Sequence, residues 1–205
     1  MMSMPTAHIA VYDTFADWEP GHLLAELRTG RFTGCPFDVV TVADTLDPVT
    51  TMGGLRVVPD ALVADLDPAA SDLLILPGAE LWDSGGGDAF VDAARRFLDA
   101  GVPVAAICGA TFGLARGGLL DARDHTSAAA EYLAASGYGG GDRYVEARAV
   151  ADRGLITAGP DAPVQFAAAT LEALGQIAPQ TRSAYEAVFG DGDAAAYGTL
   201  MAATA

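Results

Sequence analysis

The amino-acid sequence predicts an α/β protein, a three-layer sandwich in which helices cover both faces of a mainly parallel β-sheet. Strand-like segments alternate with helix-like segments along the chain, as they do in folds of this class. Most of the strand-like segments are continuously apolar, which is typical of strands that are covered on both faces. A third observation is an apolar run that ends abruptly at Cys108, directly before a helix-compatible segment. This pattern is typical of a nucleophile elbow in such a sheet.

The first half of the chain supplies the leading strands and two helices. The apolar run His8–Tyr12 predicts a strand, and a helix is expected to begin around Pro20 because proline fits the first helical turn. Further along, the patterns predict a strand at Phe37–Val42, a small hairpin at Met52–Pro59, a strand at Asp72–Leu76, a glycine-rich loop at 84–87 and a helix near 88–100.

The second half is expected to begin with the elbow strand, followed by a helix that stops at Gly117 and Gly118. After it, the patterns predict a partly exposed strand at Tyr144–Val150, a buried strand at Leu155–Ala158 and a helix from Pro163 to about Gly175. The alanine-rich segment from Pro179 is helix-prone, with a break at Gly190–Gly192. Residues 1–205 are therefore expected to form a single domain, with 178–205 as a helical tail packed on it.

Composition narrows the function class. The formal net charge of −16 repels phosphate backbones and anionic lipid, so neither nucleic acid nor a membrane is an expected partner. No apolar run reaches the roughly 18–20 residues that span a bilayer, and the start lacks the pattern of a signal peptide. We therefore expect a soluble, cytoplasmic protein. With two cysteines, no CxxC motif and no convincing acidic ligand set, neither a metal nor a cofactor is expected.

Cys108 is the predicted chemical centre of the chain. The elbow turn crowds the backbone, which explains the small residues Ala106 and Ala110 on either side. The first amides of the following helix are expected to point at the sulfur and to favour the thiolate. The alternative is a buried structural cysteine, which is common, but the elbow context favours a reactive thiol. Cys35 is expected to be an ordinary loop thiol.

Several motifs together resemble the ThiJ/PfpI family of the class I glutamine-amidotransferase-like superfamily. They are Cys108–Thr111 at the elbow, Gly118–Asp121 and His125–Ser127 after it, and Leu74–Gly78 before it. The resemblance implies a flavodoxin-like sandwich, a bacterial protein, and a homodimer, since members of the family are often dimeric.

The resemblance also implies site residues. Glu19 matches the glutamate that family members place beside the sulfur, although it is also suited to capping the helix at Pro20. An ionised Glu19 would raise the pKa of Cys108, whereas a protonated Glu19 would lower it by donating to the thiolate; we expect the protonated form. The backbone amides of Gly78, Ala79 and Gly109 match the oxyanion-stabilising positions.

The chain also departs from the family pattern. Protease-like members carry histidine directly after the cysteine, where this chain has Gly109, and others carry histidine where it has Ala128. His125 lies three residues earlier, so it is either a general base near the sulfur or a hydrogen-bonded strand histidine. Trp18 and Trp82 are expected to be packing or pocket-wall residues.

These features predict a cysteine-dependent enzyme, a hydrolase or lyase that acts on a small carbonyl, amide or related electrophile. Amidase-like, glyoxalase-like and hydratase-like reactions all fit Cys108, Glu19 and the oxyanion amides. The rival is a non-catalytic protein that responds to oxidants through Cys108. A third alternative is a scaffold whose dimer surface is its function.

Overall fold

The computed structural model describes residues 4–203. In chain order its helices and strands are β1 (Thr6–Ala10), α1 (Trp18–Thr29), β2 (Asp38–Ala43), β3 (Val49–Thr50), β4 (Arg56–Val57), β5 (Ala61–Leu62), β6 (Leu73–Leu76), α2 (Glu80–Asp83), α3 (Asp88–Asp99), β7 (Val104–Ile107), α4 (Gly109–Arg116), α5 (Ala130–Ala134), β8 (Ala149–Asp152), β9 (Leu155–Ala158), α6 (Pro163–Ala173), α7 (Pro179–Phe189) and α8 (Tyr197–Ala202). Short 3₁₀ turns lie between several of them.

The main sheet has the strand order β5-β2-β1-β6-β7-β9-β8 and is parallel except for the antiparallel pair β8 and β9. Residues of β6 alternate between two hydrophobic clusters: Leu74 and Leu76 belong to one, Leu73 and Ile75 to the other. Helices α3 and α4 contribute to the first cluster, and α1, α6 and α7 to the second. The predicted α/β sandwich, with apolar strands covered on both faces, is therefore confirmed.

The topology brings three loops to one edge of the sheet. From β1 the order runs to β2 on one side and to β6 on the other, so the direction of winding reverses between β1 and β6. In open α/β sheets a crevice forms at the carboxyl ends of the strands at such a switch point. The loops after β1, β6 and β7 lead to Glu19, Gly78 and Cys108, respectively.

The two-residue strands β3 and β4 form a separate antiparallel hairpin. Its turn and β4 lie within the predicted range Met52–Pro59, whereas β3 lies before it. The predicted strand at Tyr144–Val150 is wrong for most of its length, because β8 covers only Ala149–Asp152. Before β8, the backbone bonds to the segment at His125 instead of to β9: His125 and Tyr144 form an isolated bridge, and Val145 N donates to His125 O. The short elements β5, α2 and α5 carry too little periodicity to be predicted from sequence.

The helix-prone tail forms α7 and α8, separated around the predicted break. Tyr185 of α7 is fully buried in the second cluster, and its hydroxyl lies 3.0 Å from Nδ1 of His22 on α1. Leu200 of α8 is also buried there. Within residues 4–203 every helix is too short or too polar to cross a membrane.

Candidate active site

Cys108 occupies the turn between β7 and α4. Its φ of 57° and ψ of −126° place a non-glycine residue in a sparsely populated region of backbone conformation. Such a conformation costs on the order of 1–3 kcal/mol and persists only when the surroundings enforce it. Here Cys108 N donates to Ala158 O at 3.0 Å, and the neighbours Ala106 and Ala110 are fully buried. The elbow therefore fixes a half-buried thiol at the carboxyl edge of the sheet.

Glu19 and Gly78 complete a compact cluster around the sulfur. Glu19, the second residue of α1, is fully buried, and its Oε2 accepts a hydrogen bond from Gly78 N at 2.6 Å. A Cβ on Gly78 would lie 2.9 Å from Glu19 Oε2 and 3.0 Å from Cys108 Sγ. Only a residue without a side chain fits between the carboxylate and the thiol.

The same burial sets the protonation of this pair. Desolvation raises the pKa of Glu19 to about 7, although hydrogen bonds from the Gly78 amide and the Cys108 thiol act in the opposite direction. Burial, followed by the charge of Glu19 and the hydrogen bond to it, raises the pKa of Cys108 to about 12, against a lowering contribution from the Gly109 amide. These influences act against the easily ionised thiol that the sequence predicts, and they favour a neutral thiol beside Glu19.

The predicted oxyanion amides divide into two groups. The Gly78 amide is occupied by Glu19, so it positions the carboxylate and is not free for a substrate oxygen. Ala79 N lies 3.5 Å from where a Cβ on Gly109 would be, so the other two predicted amides are neighbours. The Gly109 amide interacts with the sulfur itself.

A buried aromatic pair holds the Gly78 turn in place. Trp82 Nε1 donates to Pro77 O at 3.0 Å and to Tyr12 Oη at 3.1 Å, and the Tyr12 hydroxyl also donates to Pro77 O. Trp82 is fully buried, so it is a packing residue, and Trp18 is half exposed with Nε1 3.4 Å from Pro160 O. The role of Tyr12 was not visible in the sequence, because it lies in an ordinary apolar strand-end run.

His125 is fully buried and uses both ring nitrogens in its own surroundings. Nδ1 lies 2.8 Å from Arg123 O and Nε2 lies 2.9 Å from Tyr138 Oη. These contacts favour the interpretation as a hydrogen-bonded structural histidine. A catalytic role of His125 stays a prediction from the sequence.

The neighbouring Ser127 does reach the elbow. Its hydroxyl lies 2.6 Å from Thr111 Oγ1, and Thr111 in turn donates to Cys108 O at 2.6 Å. The His125–Ser127 segment thus supports the turn that carries the cysteine.

One more group of residues lies close to the thiol. Asp83 at the end of α2 acts electrostatically on Cys108, and its Oδ1 accepts a 2.7 Å hydrogen bond from the Tyr132 hydroxyl. The Tyr132 ring lies 5.1 Å, centroid to centroid, from Phe112 on the elbow helix. Nothing local in the sequence pattern distinguishes Asp83 or Tyr132 as a site residue.

Other features of the described chain lie apart from this cluster. A cavity of about 470 Å³ is lined by Thr14, Asp44 and Phe90 among others, but not by Cys108. Among residues 4–203 no group of three or more His, Cys, Asp or Glu side chains is arranged to hold a metal ion.

Comparison with known proteins gives consistent matches along most of the chain. The model of the DJ-1/PfpI family matches residues 5–173. The uncharacterized protease YoaZ of Bacillus subtilis is 37% identical over 191 residues, covering 90% of this chain and 91% of that protein. The uncharacterized protease YdeA of the same organism is 32% identical over 180 residues, covering 86% and 87%. A solved structure, the thiJ/pfpI family protein from Bacillus anthracis, has a TM-score of 0.91 and 35% identity, covering 99% of this chain and 98% of that one.

Proposed function

The chain belongs to the DJ-1/PfpI family, and on that basis we propose that it is a cysteine-dependent enzyme acting on a small carbonyl, amide or related electrophile. The sequence resemblance to this family is confirmed by the family match and by the structural neighbours. Two relatives carry the name protease, which supports a hydrolase-type reaction. The observation that carries the proposal is the Glu19 carboxylate held against the thiol of a strained elbow cysteine.

The protonation of the pair defines how the reaction would start. With a pKa of about 7, Glu19 is a base near neutral pH, whereas the Cys108 thiol, with a pKa of about 12, holds its proton until attack. The Cys108 Sγ–carbon bond forms as the thiol proton moves to Glu19, and the carbonyl electron pair shifts onto oxygen. The amides of Ala79 and Gly109 would stabilise that oxygen.

The second half of the reaction returns the proton. With an amide, the carbon–nitrogen bond breaks as protonated Glu19 gives its proton to the departing amine, leaving a thioester on Cys108. Water, deprotonated by Glu19, then adds to the thioester, and the thiol is restored as the acid leaves. With an aldehyde, Glu19 would instead protonate the oxygen to give a hemithioacetal. Glu19 Oε1 is buried with no hydrogen-bond partner within the described residues, which fits an oxygen that carries a transferred proton.

The rival function, sensing oxidants through Cys108, fits the site less well. Peroxide reacts with thiolates, and burial together with Glu19 raises the pKa of this thiol to about 12. The structure therefore favours a thiol that is activated only as its proton is transferred during attack.

Turnover of a panel of small amides and aldehydes tests the proposal. We expect Cys108→Ser to abolish turnover, Glu19→Gln to reduce it strongly, and Cys35→Ser, the matched control at the other free cysteine, to leave it unchanged. Lack of turnover across the panel by the wild-type protein, combined with selective peroxide oxidation of Cys108, would favour the sensor instead.

A further inference from the structure

Two acidic side chains, those of Glu19 and Asp83, act electrostatically on the Cys108 sulfur. A substrate with a carboxylate near its reacting carbon would be repelled by both, whereas a positive group would be attracted. Glu19 is buried against the thiol, so Asp83, which is exposed, is the one placed to meet a substituent of the substrate.

Asp83 is also held in an environment suited to a cation. Its Oδ1 is fixed by the Tyr132 hydroxyl at 2.7 Å, and as a carboxylate it has a second oxygen that can accept further hydrogen bonds. The rings of Tyr132 and Phe112 lie 5.1 Å apart at an angle of 39°, and both are only partly buried. A carboxylate attracts ammonium and guanidinium groups, and partly exposed aromatic rings in the same cluster can add cation–π attraction.

The fold connects this group to the elbow that carries the reacting atom. Phe112 lies one helical turn after Cys108 on α4, and Asp83 ends the short helix α2 that follows the Gly78 turn. Tyr132 on α5 connects the two through its ring and its hydroxyl. Elements that hold the thiol and its base therefore also hold the carboxylate and the aromatic rings.

From this arrangement we infer that Asp83, Tyr132 and Phe112 form a specificity site for a positively charged substituent, so that the substrate is a small cationic carbonyl or acyl compound. The inference deepens the proposed function and names its substrate class. Asp83 and the two aromatic residues determine specificity in it, and Cys108 and Glu19 perform the chemistry.

Charged thiol reagents test the site without requiring turnover. We would measure the labelling rates of Cys108 by 2-aminoethyl and 2-sulfonatoethyl methanethiosulfonate, resolved from Cys35 by peptide mass spectrometry, and divide each rate by that of free cysteine. Cys35 in the same molecule reports the field of the whole protein, whose net charge is −16. We expect the cation-to-anion rate ratio to be higher at Cys108 than at Cys35.

Variants distinguish the local effect of Asp83 on this ratio from the effect of the net charge of the protein. Asp83→Asn should lower the ratio at Cys108 at least about fivefold, because one charge acts with opposite sign on the two reagents. Asp99→Asn, an equal change of net charge at the far end of α3, should leave the ratio unchanged. A ratio at Cys108 no higher than at Cys35, or one unaffected by Asp83→Asn, would overturn the inference.

Matched amides of lysine, norleucine and glutamate then relate the site to catalysis. We expect kcat/KM to fall in that order and Asp83→Asn to reduce the preference for the lysine compound. Equal rates for the three amides would overturn the inference while leaving the proposed enzyme intact. Selective labelling without turnover of any amide or aldehyde would instead refute the proposed function and retain the cation site.

Discussion

Trp82 packs closely against Gly109. A Cβ on Gly109 would lie 3.2 Å from Trp82 Cδ1 and 3.2 Å from Ala79 O. A side chain at this position, where the sequence departs from the histidine of protease-like members, would require Trp82 or the Gly78–Ala79 turn to shift by a few tenths of an ångström.

The packing around Trp82 predicts that alanine substitution at two helical glycines will change the stability of the protein differently. A Cβ on Gly113 would lie 2.2 Å from Trp82 Cε3, whereas one on Gly21 would meet nothing within 4 Å. Gly113→Ala should lower the free energy of unfolding by about 1–3 kcal/mol through overpacking. Gly21→Ala, the matched control, should raise it by up to about 1 kcal/mol through helix propensity. Urea unfolding measures both, and similar effects of the two changes would contradict the packing shown here.

The raised pKa of Glu19 predicts a pH dependence of stability. Its folded-state pKa of about 7 exceeds the ordinary value of 4.5, so the folded state binds more protons than the unfolded state between these values. Its contribution to the free energy of unfolding is therefore present below about pH 4.5 and is lost as the pH rises to about 7, by up to about 3 kcal/mol.

Urea unfolding of the wild-type protein and of Glu19→Gln between pH 4.5 and 8 checks this. As the pH rises, the free energy of unfolding of the wild-type protein should fall relative to that of Glu19→Gln. A difference that is independent of pH would show that Glu19 titrates normally.

The effect of the Glu19 carboxylate on the thiol predicts the reactivity of a variant. After burial, the charge of Glu19 and the hydrogen bond to it are the largest influences that raise the pKa of Cys108. Glu19→Gln should lower that pKa and speed alkylation of Cys108 by iodoacetamide at pH 8, by about tenfold for each pKa unit removed. Cys35, resolved by mass spectrometry in the same sample, should react at its former rate. Slower alkylation in the variant would indicate a protonated Glu19 that stabilises the thiolate.

The hydrogen bonds of His125 predict that it supports structure. Both ring nitrogens are occupied, by Arg123 O and the Tyr138 hydroxyl, so His125→Gln should lower the free energy of unfolding by about 1–3 kcal/mol. Alkylation of Cys108 and turnover by the folded variant should stay close to wild type. Tyr138→Phe, which removes one of the two bonds, should have a smaller effect on stability. Loss of turnover in a His125→Gln variant that still folds would instead indicate a catalytic role for His125.

Sequence patterns predicted the sheet, most helices and the elbow because each of these depends on local periodicity or on turn chemistry. The strand Leu155–Ala158 has the predicted bounds, and the next helix begins at Pro163 as predicted. The register of Tyr144–Val150 depends on a distant partner segment, and the sequence alone could not define it. The candidate site shows the same difference between local and distant signals. The elbow motif predicts Cys108, and the family resemblance predicts Glu19.

The missed parts of the site depend on three-dimensional contacts. That the Gly78 amide binds Glu19, and is not free for a substrate oxygen, depends on the loops after β1 and β6 meeting in space. The raised pKa of Cys108 follows from its depth of burial, which no local motif encodes. Asp83 and Tyr132 lie 49 positions apart and pair only because α2 and α5 converge on the elbow helix.

The hydrogen bond between Gly78 and Glu19 spans 59 positions of the chain, and the thiol they enclose follows a third strand. A parallel sheet forms such long-range pairings slowly, and sliding β1 by one residue against β6 would turn its side chains to the opposite face. A partly folded chain in which these strands are not yet paired therefore keeps the Cys108 thiol and the Glu19 carboxylate apart. During refolding, the slowing of Cys108 alkylation would mark the moment at which the central strands reach their register.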